Sequence, residues 1–138
     1  EMKLLGLDHI AIAVKNLDEA IDTFKKLLGI DPKRVEEVTE EKVKIAIFDL
    51  GNITIELLQG TSPESTVTRF VEKHGEGLHH VAIRVEGIDE VCKELASKGF
   101  RLVYPEPRVV AGGERRIEFI HPKTAHGVLI ELVEKLSG

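Results

Sequence analysis

Two histidines and two glutamates recur at matched places in this chain. The stretch HIAIAVKNLDEA begins at His9 and returns as HVAIRVEGIDEV at His80, 71 residues on. ITIELL around Glu56 returns as VLIELV around Glu131, 75 residues on. Two imidazoles and two carboxylates at equivalent points of a duplicated module form a donor set for one divalent cation. With no thiolate in the set, a borderline or hard ion suits it. A lone strand histidine is most often structural, and a lone strand glutamate most often faces water. The repetition is what makes all four candidate metal ligands. Six-coordinate geometry leaves two positions for water or substrate, and a substrate oxygen there is polarised by the cation as a Lewis acid. The natural use of such a site is to stabilise an enolate formed by removing a proton beside a carbonyl.

The elements that must hold these residues can be read from the pattern. Leu7 to Val14 alternates and is rich in β-branched residues, which predicts a strand. Asn16 or Asp18 then caps a helix with apolar residues Ala20, Ile21, Phe24, Leu27 and Leu28 at helical spacing, ending at Gly29. A short strand is expected near Arg34 to Val38. Lys42 to Leu50 and Ile53 to Gln59 flank Gly51-Asn52, a strong hairpin signal. The segment GTSPEST breaks the sheet, and Ser65 or Thr66 starts a helix to about Lys73. The second half repeats the plan: strand Leu78 to Val85, helix Ile88 to Lys98, short strand Arg101 to Tyr104. A proline-rich link (Pro105, Pro107) then leads to a hairpin of Arg115 to Ile120 and Val128 to Val133. The fold class expected is α+β, two tandem βαβββ modules in a curled mixed sheet around a metal site. The single domain of residues 1–138 divides into modules 7–60 and 78–134, with 61–77 as linker helix and hinge.

Strand parity assigns faces, because alternate side chains point to opposite sides of a sheet. His9 shares a face with Ala11 and Ala13, opposite Ile10, Ile12 and Val14. His80 shares a face with Ala82 and Arg84, opposite Val81, Ile83 and Val85. Small residues beside each histidine leave room for a cavity. A glutamate inside a run as apolar as ITIELL or VLIELV is costly to bury without a partner, and a metal supplies one. His79 has the wrong parity and is expected to pack elsewhere. His74, His121 and His126 fall at loops or strand ends, and Cys92 aligns with Ile21 on a buried helix face.

Bulk properties narrow the function classes. The chain has 138 residues, 42% hydrophobic and 31% charged, which suits one soluble globular domain. A net charge of −5 argues against a nucleic-acid partner. No apolar run approaches the ~20 residues of a membrane span, and no signal-peptide pattern is evident. One cysteine cannot make an internal disulfide, so the expected home is the reducing cytoplasm.

The duplicated plan with its His, Glu, His, Glu order closely resembles the vicinal oxygen chelate (glyoxalase-like) superfamily. Within it, the chain is similar to the methylmalonyl-CoA epimerases from about Leu7 to Glu134. The motifs are LDHIAIAV, IELL with a following SPEST helix, GEGLHHVAIRV, and GG-RRIEFIHPK-GVLIEL. The first is generic to the superfamily; the last two together are fairly specific to the epimerases. The resemblance implies a homodimer that interconverts (2R)- and (2S)-methylmalonyl-CoA by moving the C2 proton. It implies His9, Glu56, His80 and Glu131 as ligands to cobalt or manganese, with nickel, magnesium or zinc as further candidates.

Epimerisation needs proton removal on one face and delivery on the other, so two acid/base groups are the simplest arrangement. The resemblance gives Glu131 as one. It puts the other on the strand before the Gly-Asn turn, where this chain has Ile45. Glu41 shares that parity further out and is one candidate second base, with water, Glu56 or another group as the alternatives. For the coenzyme A phosphates, the helix start at Ser65 and Thr66 offers free amides, though those hydroxyls equally suit plain caps. Arg84 suits a carboxylate or phosphate, and Lys123 a coenzyme A contact. Lactoylglutathione lyase shares the ligand set, but the SPEST and GG-RRIEFIHPK segments favour the epimerases. An extradiol dioxygenase uses three ligands to iron, and a fourth would crowd its oxygen site. A metal-free binding module predicts loss of the His/Glu set, which is intact.

Overall fold

A computed structural model of the chain describes residues 2–136. It divides into two compact units, His9 to His79, and the residues up to Asp8 together with those from His80 on. Eight strands and three longer helices make up the described residues: β1 (Lys3–Ala13), α1 (Leu17–Leu28), β2 (Arg34–Val38), β3 (Val43–Asp49), β4 (Thr54–Gly60), α2 (Thr66–His74), β5 (Gly77–Glu86), α3 (Ile88–Ser97), β6 (Arg108–Val110), β7 (Arg115–Ile120) and β8 (Ile130–Lys135). The boundary between the units falls within β1, between Asp8 and His9.

In the unit from His9 to His79 the strand order is β2-β3-β4-β1. β1 runs parallel to β4, while β3 pairs antiparallel with both β4 and β2. One face packs on α1 through Val14, Leu17, Ala46, Phe48 and Leu57, joined by Ile21, Phe24 and Leu28. Asn16 caps that helix by accepting from the Glu19 N–H at 3.0 Å, and Gly29 closes it in the left-handed region at φ 70°. Leu27 departs from the expected apolar stripe and is 70% exposed. The row that packs on the sheet is Leu17, Ile21, Phe24 and Leu28, and Leu27 sits about 100° around the helix from Leu28.

The opposite face is closed partly by α2. Val67, Phe70 and Val71 pack there with Ala11, Ala13, Val43, Ile45 and Leu58. The helix read as a linker is thus part of this unit's core. Its close seating requires a glycine at the end of β4. A Cβ on Gly60 would overlap the Thr68 hydroxyl and sit 2.8 Å from Ser65 Oγ.

The other unit repeats the plan with strand order β5-β8-β7-β6. β5 runs parallel to β8, and β7 pairs antiparallel with β8 and β6. α3 covers one face through Ile88, Val91, Cys92 and Leu95, against Val85, Ile120 and Leu132. Its start, at Gly87, carries no side-chain cap of its own. Instead the Glu134 carboxylate accepts from the Gly87 and Ile88 N–H groups at 2.8 and 3.1 Å, which satisfies orphan donors and places negative charge at the helix N-terminus.

The βαβββ reading holds in both halves, with one correction. Arg101 to Tyr104 is not a strand; only Leu102 bridges to Ile120. The strand equivalent to β2 is Arg108–Val110. Tyr104 gives its N–H to the Glu118 carboxylate at 2.8 Å rather than to a ladder. Pro105 and Pro107 have no N–H to give. No helix among the described residues is long and apolar enough to cross a membrane.

Candidate active site

Each unit presents one histidine and one glutamate, buried and side by side. On β1, His9 is 3% exposed, and the small residues after it on the same face, Ala11 and Ala13, are fully buried. Ala11 stands directly across from Glu56 in the β1–β4 ladder. That register brings His9 Nδ1 to 3.5 Å from Glu56 Oε2. On β5, Ala82 stands directly across from Glu131, and His80 Nε2 lies 2.9 Å from Glu131 Oε1. Glu56, His80 and Glu131 are all under one-tenth exposed. A buried carboxylate is costly unless a positive or hydrogen-bonding partner meets it. Each buried imidazole–carboxylate pair offers neutral nitrogen and anionic oxygen, the donors that a divalent cation of borderline hardness prefers.

The antiparallel partner strands finish each face. Ile47 lies across from Glu56 on β3, and Phe119 across from Glu131 on β7. The Phe119 ring meets His80 edge-on, with centroids 5.6 Å apart and planes at 88°. Tyr104 meets Phe119 in the same way at 5.8 Å. The sequence reading missed both aromatics. Alternation in RRIEFI could have placed Phe119 on the Glu131 face, whereas Tyr104 carried no signal because its segment is irregular.

The remaining candidates separate by surroundings. Ile45 packs in the apolar cluster under α2, as a partly buried member. Glu41 ends a 3-10 turn, Thr39–Glu41, and β3 begins only at Val43, so Glu41 lies just off the strand and is half-buried. Ser65 is 2% exposed and its hydroxyl accepts from the Val67 N–H at 3.2 Å, a cap on α2, while Thr66 is exposed. Arg84 is half-buried on the His80 face. Lys123 is exposed on a 3-10 turn, Pro122–Thr124, its N–H donating to His121 Nδ1 at 3.0 Å. His79 packs edge-on against Phe70, which also stacks near His74. Cys92 is buried under α3, and burial, aided by the charge of Glu118, pushes its thiol up to about 11.

One electrostatic feature had no sequence signal. Asp8 on β1, its side chain 6% exposed, lies 3.6 Å from Arg115 and 3.5 Å from Lys135, which face one another across β7 and β8. The carboxylate separates two like charges that would otherwise be a repulsive cross-strand pair.

Comparison with known proteins places this geometry among relatives. Residues 8–119 match the model of the Glyoxalase/Bleomycin resistance protein/Dioxygenase superfamily. The mitochondrial methylmalonyl-CoA epimerase of Dictyostelium discoideum is 35% identical over 130 residues, spanning 94% of this chain and 78% of that protein. The crystal structure of methylmalonyl-CoA epimerase from Mycobacterium tuberculosis superposes with a TM-score of 0.89 at 38% identity, covering 97% of this chain and 90% of that one. A Streptomyces coelicolor methylmalonyl-CoA epimerase variant, in complex with 2-nitronate-propionyl-CoA, gives 0.87 at 34% identity over 97% of this chain and 99% of that one.

Proposed function

We infer the activity from one premise: the chain belongs to the Glyoxalase/Bleomycin resistance protein/Dioxygenase superfamily. We propose that it interconverts (2R)- and (2S)-methylmalonyl-CoA by moving the proton on C2, as its epimerase relatives are named for doing. The observation that carries the reading is the buried His–Glu pair in each half, His9 with Glu56 and His80 with Glu131. These four residues would hold one divalent ion in this reading, cobalt or manganese, with nickel, magnesium and zinc as further candidates. When bound, the ion would supply positive charge where negative charge develops beside the thioester.

The chain's own groups do the rest. Glu131 takes or returns the C2 proton on one face of the substrate, and Glu41 serves as the acid/base on the other. The coenzyme A end is held by anion contacts. Ser65 commits its hydroxyl to the Val67 N–H, so the anion contact falls to the other first-turn amides of α2, beside the exposed Thr66. Arg84 has no ion pair among the described residues and meets a carboxylate or phosphate. Lys123, exposed on its turn, meets the coenzyme A portion. Assembly is as a homodimer, for which the exposed Leu4, Leu5 and Leu7 of β1 supply apolar surface. The proposed compartment is the cytoplasm.

The deciding experiment is proton NMR of racemic methylmalonyl-CoA in deuterated water, with metal-loaded protein and a chelated control. Metal-dependent loss of the C2 proton signal supports the reading. No exchange, with turnover of the glutathione–methylglyoxal hemithioacetal instead, replaces it with a lyase.

A further inference from the structure

Among the described residues of the second half, Glu118 is the one carboxylate that is fully buried yet stands apart from the His80–Glu131 pair. It alternates with Ile117 and Phe119 on β7, so it points to the opposite side of the strand from the site face. Its Oε2 accepts from two backbone N–H groups, Tyr104 at 2.8 Å and Phe119 at 3.0 Å. Its Oε1 has no hydrogen-bond partner among the described residues. Keeping a half-satisfied carboxylate where an apolar residue would pack calls for a compensating role.

That role follows from what the two amides carry. Residues 101–107 form no regular strand, so their course rests on a few bonds, among them Val103 N–H to the Phe119 carbonyl at 2.9 Å and Tyr104 N–H to Glu118. The Tyr104 ring is set against Phe119 at 5.8 Å, with the Arg108 guanidinium 3.7 Å above its centroid. Phe119 in turn meets the His80 ring edge-on at 5.6 Å. One oxygen atom therefore fixes the backbone of Phe119, whose ring meets His80, and of Tyr104, whose ring backs Phe119. In the first half, α2 closes the corresponding face with Phe70 and Val71. In the second half the irregular segment has to do so without a helix.

We propose that Glu118 is a positioning residue for His80, acting through the Tyr104–Phe119 aromatic pair. It touches neither substrate nor cation and holds the histidine ring at the angle from which it can serve as a ligand. The link to activity rests on His80 being a metal ligand, as proposed above; the link from Glu118 to the His80 ring does not.

The test compares Glu118→Leu, Glu118→Gln and Tyr104→Leu. The first readout is the His80 ring-proton shifts in metal-free protein, assigned by their loss in His80→Gln. The second is the affinity for Co(II), followed by its visible absorption, with kcat and KM on methylmalonyl-CoA. Glu118→Leu should move and broaden the His80 signals, weaken Co(II) about 10-fold or more, and lower kcat with KM nearly unchanged. Glu118→Gln should restore all three, because its amide oxygen still accepts from Tyr104 and Phe119. Tyr104→Leu keeps the backbone bond and removes the ring, so it should move the His80 signals even if Glu118→Leu fails to fold. A folded Glu118→Leu or Tyr104→Leu protein with unchanged His80 signals overturns the proposal. If the unmodified protein neither binds Co(II) nor epimerises, the functional reading fails, and the His80 signals still decide the role of Glu118.

Discussion

Glu131 stands directly across the parallel β5–β8 ladder from Ala82, two residues past His80. Glu56 stands in the same relation to Ala11, two residues past His9. In a parallel pair this register sets the histidine one pleat away from the glutamate on the same face, with the alanine methyl group beside the two side chains where they meet. A larger side chain at the alanine would fill the space a cation needs. Both alanines are fully buried.

Metal binding should separate His80 from its neighbour in sequence. His80→Gln is expected to weaken Co(II) or Mn(II) by at least about 100-fold, and His79→Gln to leave it unchanged, because His79 packs on Phe70 instead. Isothermal titration measures both. Chelation should also lower the melting temperature, since metal at about 100 times its Kd adds roughly 2.7 kcal/mol to a fold that binds it.

The Glu41 assignment makes a distinctive kinetic prediction. Glu41→Gln should cut epimerisation by about 100-fold while one epimer still exchanges its C2 proton with deuterated solvent. Glu131→Gln should abolish both. Equal loss of exchange from both epimers in Glu41→Gln would remove Glu41 from the mechanism.

Cys92 should make stability fall at high pH. Its thiol is held up at about 11 against an ordinary 9.0, first by burial and then by the charge of Glu118. A value raised in the folded state favours the protonated form there. The contribution is therefore complete below about pH 9 and lost as pH rises through about 11. Denaturant unfolding of the protein and of Cys92→Ser should differ by a term that declines by about 2 kcal/mol over that window. The same burial keeps the native thiol inert to iodoacetamide at pH 8.

Gly60→Ala tests the seating of α2. The added methyl meets the Thr68 and Ser65 hydroxyls, and overpacking of this kind costs about 1–3 kcal/mol. Gly60→Ala with Thr68→Ala should recover part of the loss in a melting experiment.

Much of this protein was legible from local pattern. A period of two in the strands put His9 with Ala11 and His80 with Ala82. The duplication then singled out Glu56 and Glu131 from otherwise apolar runs. The Gly51-Asn52 turn, the Asn16 cap and the Gly29 stop are short-range features, so the chain carries them in adjacent residues. Leu27 shows the limit of even that reading, since helical spacing alone does not say where the apolar stripe ends.

Only the tertiary structure decided what long-range partners do. Tyr104 and Glu118 lie 14 residues apart, and nothing local says that a carboxylate would take the amide of a residue read as strand. Asp8 is silent in sequence until the fold brings Arg115 and Lys135 to it. Glu118 reads as an ordinary solvent-facing position on an alternating strand, yet the fold buries it completely. Periodicity records which face a residue takes. What meets it on that face depends on chain closure, and closure brings together residues with no shared local signal.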